Sequence, residues 1–536
     1  MLFAQAPPRL QTPSVEFSAL LPVLILLGGA ILLLVIGALL PRRSRYSWHA
    51  AFAIAVALAS IISAIPLWFR TRDDGPISVV ANAVRVDGLT IFLTIVIVGG
   101  VILTALLAEG YLQRERLEGP EAYVLLLLSA AGGVIMAGAN DLMVIFLGLE
   151  ILSLAVYVLA GIHVRRVRSG EAALKYFVLG AFSSAFLLYG IALVYGATGT
   201  TNITGIQSFL ATNILTNDLM LLAGFALLLV GLGFKVAAAP FHAWTPDVYD
   251  GSPSPFVAYM ASGVKAAGFA AIIRVFVYGF SSYATDWRPI VYVMAVLSLI
   301  VGSVIAVSQT NVKRMLAYSS INQAGFMLLG IQAATNLGVQ ATAFYLATYT
   351  FTVAGSFGVA TVVGRSGDNA HDLSDYKGLA KRAPLLAFAF LVFLLAQAGV
   401  PFTSGFLAKF YVVGAAIDAG SFSLGLIAML TSVVSAFVYL RIVLTMYSDK
   451  ADEGAPIFRV PVGAKIALAT CVVAPLASGL SLARSPMRPR LQLPRSSPRR
   501  GRHRPQVCRP TRRPAADPTN PGAAGCPEGA SRVRGC

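Results

Sequence analysis

The sequence predicts an all-α polytopic membrane protein, and three observations support this fold class. The chain of 536 residues is 57% hydrophobic and only 12% charged, and its mean hydropathy is +0.75. A soluble protein carries about 25% charged residues, since its surface must be solvated. The apolar residues fall in segments of about 20, the length that an α-helix needs to cross a bilayer. The loops between these segments are too short for a soluble catalytic domain.

Fourteen segments have the length and composition of membrane-spanning helices. They lie at about 17–40, 48–69, 84–108, 121–138, 140–162, 171–197, 218–244, 255–280, 289–308, 314–332, 337–364, 384–417, 422–447 and 462–482. We divide the chain into an N-terminal three-helix segment, two five-helix units, a C-terminal helix and a tail, at residues 1–120, 121–280, 288–447, 448–482 and 483–536.

The two five-helix units share one feature. In each unit the fourth span contains a proline followed by phenylalanine, Pro240 in the first and Pro401 in the second. Proline removes a hydrogen bond and breaks or kinks a helix, so helices 7 and 12 are predicted to be discontinuous. Each unit has an odd number of spans, so the second enters the membrane from the side opposite the first. This pattern predicts an inverted-topology repeat, and in secondary transporters such paired broken helices mark the ion path.

Basic residues are distributed unevenly between the two sides of the membrane. One alternate set of loops holds 16 of them, and the opposite set holds three, Arg70, Arg72 and Arg288. The excess of Lys and Arg in cytoplasmic loops therefore predicts that both termini lie outside the cytoplasm.

The net charge of +17 comes mainly from the tail. Residues 483–536 hold 13 Arg against two acidic residues, a net of +11, which leaves +6 for the rest of the chain. No nucleic-acid partner is therefore indicated. The tail is rich in Arg and Pro and cannot pack a core, so we expect it to be disordered. We favour a nonfunctional extension over a tether to anionic lipids.

Four ionisable side chains lie far from any span end: Glu150, Lys235, Lys265 and Lys409. One charge at mid-bilayer opposes insertion by roughly 2.5–3.5 kcal/mol, and a lysine recovers only a few Å by extending toward the interface. A structural ion pair would account for Glu150 and one lysine, but two lysines would still lack partners. A function inside the membrane is therefore predicted. Arg274 lies nearer its helix end and is expected to reach the interface.

Lysine is suited to proton transfer in this setting. A desolvated lysine holds its proton less tightly, and an approaching carboxylate restores its affinity. A lysine with a switchable glutamate partner is thus a proton-loading site. His242 follows Lys235 by seven residues, about two turns, and shares its face if the helix continues. It is a candidate relay near pH 7, but an imidazole merely hydrogen-bonded beside Trp244 explains it equally well.

Cofactor motifs are missing from the sequence. The four cysteines show neither CxxC nor Cys/His metal spacing, and no glycine-rich phosphate loop follows a strand. We expect neither a metal nor a redox cofactor in this chain.

Several motifs together resemble a known family. They include LGLEILSLAVYVL around Glu150, GLGFKVAAAPFHAW around Lys235, SGVKAAGF around Lys265 and GVPFTSGFLAKFYV around Lys409. Over about residues 15–480 the chain resembles the antiporter-like membrane subunits of respiratory complex I. The resemblance implies one half-channel in each five-helix unit. It implies that Glu150 tunes Lys235, that Lys265 connects the halves through buried water, and that Lys409 is the exit-side site.

The resemblance also implies the setting of the chain. It would be a non-redox subunit of a proton-translocating NADH:quinone oxidoreductase in the bacterial inner membrane, beside other membrane subunits of complex I and the lipid bilayer. NADH, FMN, iron–sulfur clusters and quinone would belong to partner subunits. An Mrp-like cation/proton antiporter subunit is the alternative, although a sodium site calls for carboxylates and only Glu150 is available. A purely structural scaffold is the third hypothesis.

Overall fold

The computed structural model describes residues 15–39, 47–215, 217–448 and 458–484. The predictions for the tail, from residue 485 onward, lie outside the described residues. The part that precedes the tail is one compact, mostly helical unit.

The helices of the first 215 residues are α1 (Phe17–Leu39), α2 (Ser47–Asp73), α3 (Gly88–Glu115), α4 (Glu121–Gly138), α5 (Leu142–Ala160), α6 (Val167–Thr198) and α7 (Ile203–Thr212). They are followed by α8 (Leu219–Lys235), α9 (Trp244–Gly251), α10 (Ser254–Tyr259), α11 (Lys265–Ile272), α12 (Ala284–Ser308), α13 (Val312–Gln332) and α14 (Asn336–Val363). The last are α15 (Leu379–Arg382), α16 (Pro384–Ala398), α17 (Ser404–Asp418), α18 (Phe422–Tyr447) and α19 (Val462–Arg484).

Among the described residues, 11 helices are long and apolar enough to cross a membrane. Two shorter apolar helices, α8 and α16, correspond to the first parts of the two spans that were predicted to be broken. The 21-residue helix α13 is not among the 11, because polar side chains such as Asn322 and Gln323 lower its hydropathy. Asn322 and Gln323 are both buried in protein.

The sequence did not predict a short hairpin and a helix in two of the connections. Strands β1 (Ile77–Val79) and β2 (Val84–Val86) pair antiparallel, with Ile77 opposite Val86. Helix α3 begins only at Gly88, because the Asp87 side chain accepts a hydrogen bond from the Thr90 amide and caps the helix. The span predicted from residue 84 therefore starts later, and α7 lies in what was predicted to be a loop.

Both predicted discontinuities are present at the two prolines. Helix α8 ends at Lys235 and α9 begins at Trp244, while α16 ends at Ala398 and α17 begins at Ser404. Each break contains left-handed backbone: φ is 59° at Ala237 in the first, and 87° at Gly399 in the second. These conformations stop an α-helix, so the chain ends one helix and restarts another within the fold.

Residues Ser254–Gly279 form one continuous helical segment, here called the central helix. It includes α10, α11 and two π-helical stretches, Met260–Val264 and Ile273–Gly279, and the 18-residue window of highest hydropathy in it is 100% buried. The central helix packs against α3, α4 and α14. Its side chains therefore face other helices, and Lys265 in its middle lies in protein and not in lipid.

Candidate functional site

Lys235 lies at the end of α8 and is 3% exposed. Its Nζ donates a hydrogen bond to Ser153 Oγ at 2.8 Å and lies 5.6 Å and 5.4 Å from the ring centres of Tyr157 and Tyr176. The ammonium group is therefore enclosed by one hydroxyl and two aromatic faces, which attract a cation.

Glu150 lies one turn before Ser153 on α5. Its negative charge acts on Lys235, yet the two residues form no ion pair among the described residues. The Glu150 Oε1 atom is buried without a hydrogen-bond partner in the described structure. The structural ion pair that would explain these two charges is thus not formed, and Glu150 is left as a nearby, separate charge.

A polar cavity lies at the ends of α6, α9 and α13, on the side of the basic loops. Its volume is about 180 Å³. Most of the side chains that line it are charged: Arg168, Glu171, Lys175, Asp247, Asp250 and Arg314. Asp247 accepts hydrogen bonds from Lys175 and Arg314, each at 2.9 Å. Tyr176, the neighbour of Lys175, stacks on Trp244 with ring centres 4.4 Å apart. The Tyr176 ring, which lies beside the Lys235 ammonium, therefore follows directly on a residue that lines this cavity.

The break after Lys235 is held by hydrogen bonds to other segments. The Ala239 amide donates to Ser298 Oγ at 2.9 Å, and the Trp244 indole donates to the Phe234 carbonyl at 3.1 Å. His242 lies inside the break, half-buried. Since α8 ends at Lys235, the helix does not continue to His242, and the argument that both residues share a helix face is wrong.

Lys265 lies on the central helix directly after its first π-helical stretch and is 1% exposed. Its Nζ donates to the Ser320 carbonyl at 2.7 Å and to Ser320 Oγ at 2.6 Å, and it lies 5.5 Å from the Tyr349 ring centre. Among the described residues, no carboxylate lies near enough to Lys265 to neutralise its charge.

Lys409 lies on α17, after the second break, and is 6% exposed. Its Nζ donates to the Ala398 carbonyl at 2.9 Å and to Ser432 Oγ at 2.8 Å. The ring centre of Phe326 is 4.7 Å away. The C-terminal end of α16 thus binds the lysine of α17 across the break. Within the described residues no carboxylate lies near enough to neutralise the charge of Lys409.

An uncharged polar chain joins Lys265 to Lys409, and sequence reasoning missed it. Ser319, next to the Ser320 that binds Lys265, hydrogen-bonds Tyr439, and Gln323 Nε2 donates to the same Tyr439 oxygen at 3.1 Å. Gln323 also donates to the Gln397 carbonyl at 3.1 Å. Gln397 precedes Ala398, whose carbonyl binds Lys409. The signal available in the sequence was the run YSSINQ within a span.

Arg274 is buried in protein and has a partner that the sequence did not indicate. It is 3% exposed and donates two hydrogen bonds to Asp87, at 2.7 Å and 2.6 Å. Asp87 caps α3, so the pair ties the last turns of the central helix to the first turn of α3. Bidentate geometry of this kind is the strongest arrangement of an arginine with a carboxylate.

Within the described residues no group of three or more His, Cys, Asp or Glu side chains is arranged to hold a metal ion. The site is therefore built from three lysines, one glutamate and hydroxyl, amide and aromatic groups.

The family described as "NADH:quinone oxidoreductase/Mrp antiporter, TM" matches residues 139–435, which include Glu150, Lys235, His242, Lys265 and Lys409. This match covers more than half of the chain. The chain belongs to the NADH:quinone oxidoreductase/Mrp antiporter family.

Curated members of this family are similar over most of their length. NADH-quinone oxidoreductase subunit N of Trichlorobacter lovleyi is 39% identical over 467 residues, covering 87% of this chain and 95% of its own. The protein of the same name from Mycobacterium tuberculosis is 38% identical over 520 residues, covering 88% and 97%.

Solved structures agree in fold. A chain of respiratory complex I from Thermus thermophilus is 34% identical, with a TM-score of 0.74, and covers 87% of this chain and 98% of its own. A chain of the Mrp complex from Dietzia has a TM-score of 0.75 at 23% identity, covering 87% and 95%. The second likeness shows the fold alone.

Proposed function

We propose that the chain is subunit N of a bacterial NADH-quinone oxidoreductase and that it translocates protons through buried half-channels. Glu150, Lys235, Lys265 and Lys409 are the proposed proton sites, and His242 in the first break is a proposed relay. The curated relatives with this name, similar over almost their whole length, support the assignment to subunit N.

One observation carries the proton-transfer proposal. Three lysines are each at most 6% exposed, and none forms an ion pair within the described residues. A buried ammonium without a carboxylate is costly unless it can release its proton. Each lysine donates to a serine hydroxyl, Ser153, Ser320 or Ser432, so each can hold a proton by hydrogen bonds and pass it to water or a neighbouring hydroxyl.

The proposed path begins at the polar cavity beside Lys175. Protons pass the aromatic pair Tyr176 and Trp244 and load Lys235, whose affinity depends on the charge of Glu150. They continue to Lys265 on the central helix. A lysine relay needs mobile water at this step, because no side-chain hydrogen bond joins Lys235 to Lys265 in the described structure.

From Lys265 the path follows the uncharged chain of Ser319, Tyr439, Gln323 and Gln397 to Lys409. The hydroxyl groups of Ser319 and Tyr439 both donate and accept hydrogen bonds, so they can relay a proton. The amide groups of Gln323 and Gln397 do not relay one; they orient the hydroxyls, and mobile water completes the transfer to Lys409. The second half-channel thus ends at Lys409, which we propose as the exit-side site.

The architecture of this proposal is the predicted one. Eleven long helices, α13 and the two broken spans together account for fourteen spans. Residues 1–120 form the N-terminal segment, 121–280 and 288–447 the two inverted five-helix units and 448–482 the last helix; the tail, 483–536, has no part in the proposal. The basic loops face the cytoplasm, with both termini outside, and the chain crosses the bacterial inner membrane.

The chain itself acts as a non-redox subunit in this proposal. NADH, FMN, iron–sulfur clusters and quinone belong to partner subunits, and electron transfer there drives the charge changes here. Its contacts are other membrane subunits of the complex and lipid, with no nucleic acid.

Replacing Lys235 or Lys409 with alanine tests this proposal. We expect the number of protons taken up per NADH oxidised, measured in inverted membrane vesicles, to fall in both variants. Lys465→Ala is the matched control, because Lys465 is an exposed lysine within α19 and its loss should leave pumping unchanged. Unchanged pumping in both test variants would contradict the proposal. Sodium transport by the isolated chain would support the Mrp-like alternative instead.

A further inference from the structure

A buried carboxylate that sequence reasoning did not single out lies far from the four proposed proton sites. Asp368 is in the connection after α14 and is 0% exposed. It contacts Lys313 at 3.5 Å, Arg166 at 3.3 Å and His371 at 2.8 Å. Burial alone would raise the pKa of Asp368, but Lys313, His371 and Arg166 outweigh it and hold that pKa well below its usual range. Asp368 is therefore charged at any physiological pH.

Asp368 binds the beginning of the central helix. The Ser254 amide donates to Asp368 Oδ2 at 3.3 Å, and the Ser254 hydroxyl donates to Oδ1 at 2.9 Å. Ser254 is the first residue of the central helix, so the carboxylate satisfies an amide that has no partner within the helix. Its negative charge also faces the positive end of the helix dipole.

Asp368 also binds the beginning of α13 through Lys313. Lys313 is 0% exposed, and its Nζ donates at 2.8 Å to the carbonyl of Ser252, two residues before the central helix. One carboxylate and one lysine therefore join the first turns of the central helix and α13.

These two helices carry the two residues of one contact, Lys265 on the central helix and Ser320 on α13. Lys265 is eleven residues, about 16 Å, along the central helix, and Ser320 is about 12 Å from the start of α13. At its other end the central helix is tied to α3 by Arg274 and Asp87. Lys265 thus lies on a helix that is tied at both ends. Of these two ties, the one at Asp368 connects the central helix to α13, the helix that carries Ser320.

We propose that Asp368 is a positioning residue for proton transfer: it holds the central helix and α13 in the register that places Lys265 on Ser320. This inference rests on the proposed function of Lys265. Asp368 touches no reacting group and acts only through Lys265. A displacement of about 1 Å in the geometry of a reacting group can cost on the order of 100-fold in rate, so loss of the charge is expected to lower proton uptake about tenfold.

Asp368→Asn in the intact complex, in membrane vesicles, tests this. The amide keeps the shape but loses the charge that binds Lys313, so proton uptake per NADH should fall while the amount of assembled complex, measured by mass spectrometry, is unchanged. Asp368→Glu should restore part of the uptake. The matched control is Asp372→Asn, an exposed carboxylate four residues away that caps only its own turn; it should pump normally.

Two further variants separate positioning from a general structural effect. Because Asp368 acts through Lys265, the double variant Asp368→Asn with Lys265→Ala should pump no less than Lys265→Ala alone, whereas independent effects would add. If Asp368→Asn fails to assemble, Ser254→Ala decides, since it removes one contact to the carboxylate without leaving a charge unpaired, and normal pumping would overturn the inference.

The outcomes also separate this inference from the proposed function. Normal pumping by Asp368→Asn together with reduced pumping by Lys265→Ala would overturn the role of Asp368 and leave the proton path intact. Normal pumping by Lys265→Ala would remove Lys265 from the path, and the role of Asp368 with it.

Discussion

The two broken helices place lysines in different environments. Lys235 comes immediately before its break, beside two tyrosine rings, one hydroxyl and the charge of Glu150. Lys409 comes after its break and is held by a backbone carbonyl, a serine and a phenylalanine ring. A helix interrupted at proline therefore places one lysine beside a carboxylate and the other among uncharged hydrogen-bond acceptors.

The largest effect is expected at Lys235, the lysine beside a carboxylate. Glu150→Gln removes the one carboxylate charge that acts on Lys235 within the described residues, and at the effective dielectric of a protein such an interaction amounts to roughly 1.4–2.7 kcal/mol, about tenfold to a hundredfold in rate. Proton uptake per NADH in vesicles should fall accordingly. Glu121→Gln, an exposed glutamate at the start of α4, is the control. Equal pumping by both variants would show that the two halves do not differ in this way.

The uncharged chain offers the next test. Gln323→Leu leaves the Tyr345 hydroxyl and the Gln397 carbonyl without the partner that Gln323 supplies, and each unsatisfied buried group costs about 1–3 kcal/mol. We expect proton uptake to fall with Lys235 still in place, because the path from Lys265 to Lys409 is interrupted. Gln207→Leu is a suitable comparison, since Gln207 bonds only the exposed Ser281 side chain. Unchanged uptake in Gln323→Leu would remove the chain from the path.

Glycine should be the more stable residue at both breaks, so replacing glycine with alanine in one and alanine with glycine in the other should change stability in opposite directions. Gly399→Ala puts a Cβ at φ 87° and 3.0 Å from Lys409 Cδ, so it should destabilise the chain by about 1–2 kcal/mol. Ala237→Gly relieves a left-handed alanine (φ 59°) and should stabilise it by less. The unfolding temperature of the detergent-solubilised chain measures both. Gly170→Ala, where the new Cβ meets nothing within 4 Å, is the control, and a similar change for Gly399→Ala would contradict the expectation.

The smallest expected effect is the pH dependence of stability that comes from His371 and Asp368, where the central helix and α13 are joined. Burial lowers the pKa of His371 despite the Asp368 beside it, so the unfolded chain binds a proton first as the pH falls below about 6.5. Stability is therefore complete above that pH and declines below it. Asp368, whose pKa is also lowered, adds a further loss only below about pH 4.

His371→Gln is expected to flatten the first part of this decline. The measurement is the unfolding temperature of both chains between pH 7 and 5. Parallel curves would show that another group is responsible.

Much of the site could be predicted because burial of a charge is a local property of the sequence. Glu150, Lys235, Lys265 and Lys409 stand out against apolar neighbours, and the two prolines mark the breaks. His242 was placed on the face of Lys235 by assuming a continuous helix, and the break at residues 236–243 removes that face. The partner of Arg274 could not be predicted, because Asp87 is 187 residues away in the chain.

The sequence by itself determined the class of the protein, the position of its helices and breaks and the residues that carry charge into the membrane. Hydropathy and proline act within one helical segment, so they can be recognised without a fold. Only the tertiary structure decided which groups meet: Ser153 with Lys235, Ser320 with Lys265, the glutamine and tyrosine chain, and Asp368 across two helices. Those contacts join residues at least 55 positions apart in the chain, and 120 in the case of Ser319 and Tyr439. Packing between helices brings them together, and no local pattern in the sequence records that packing.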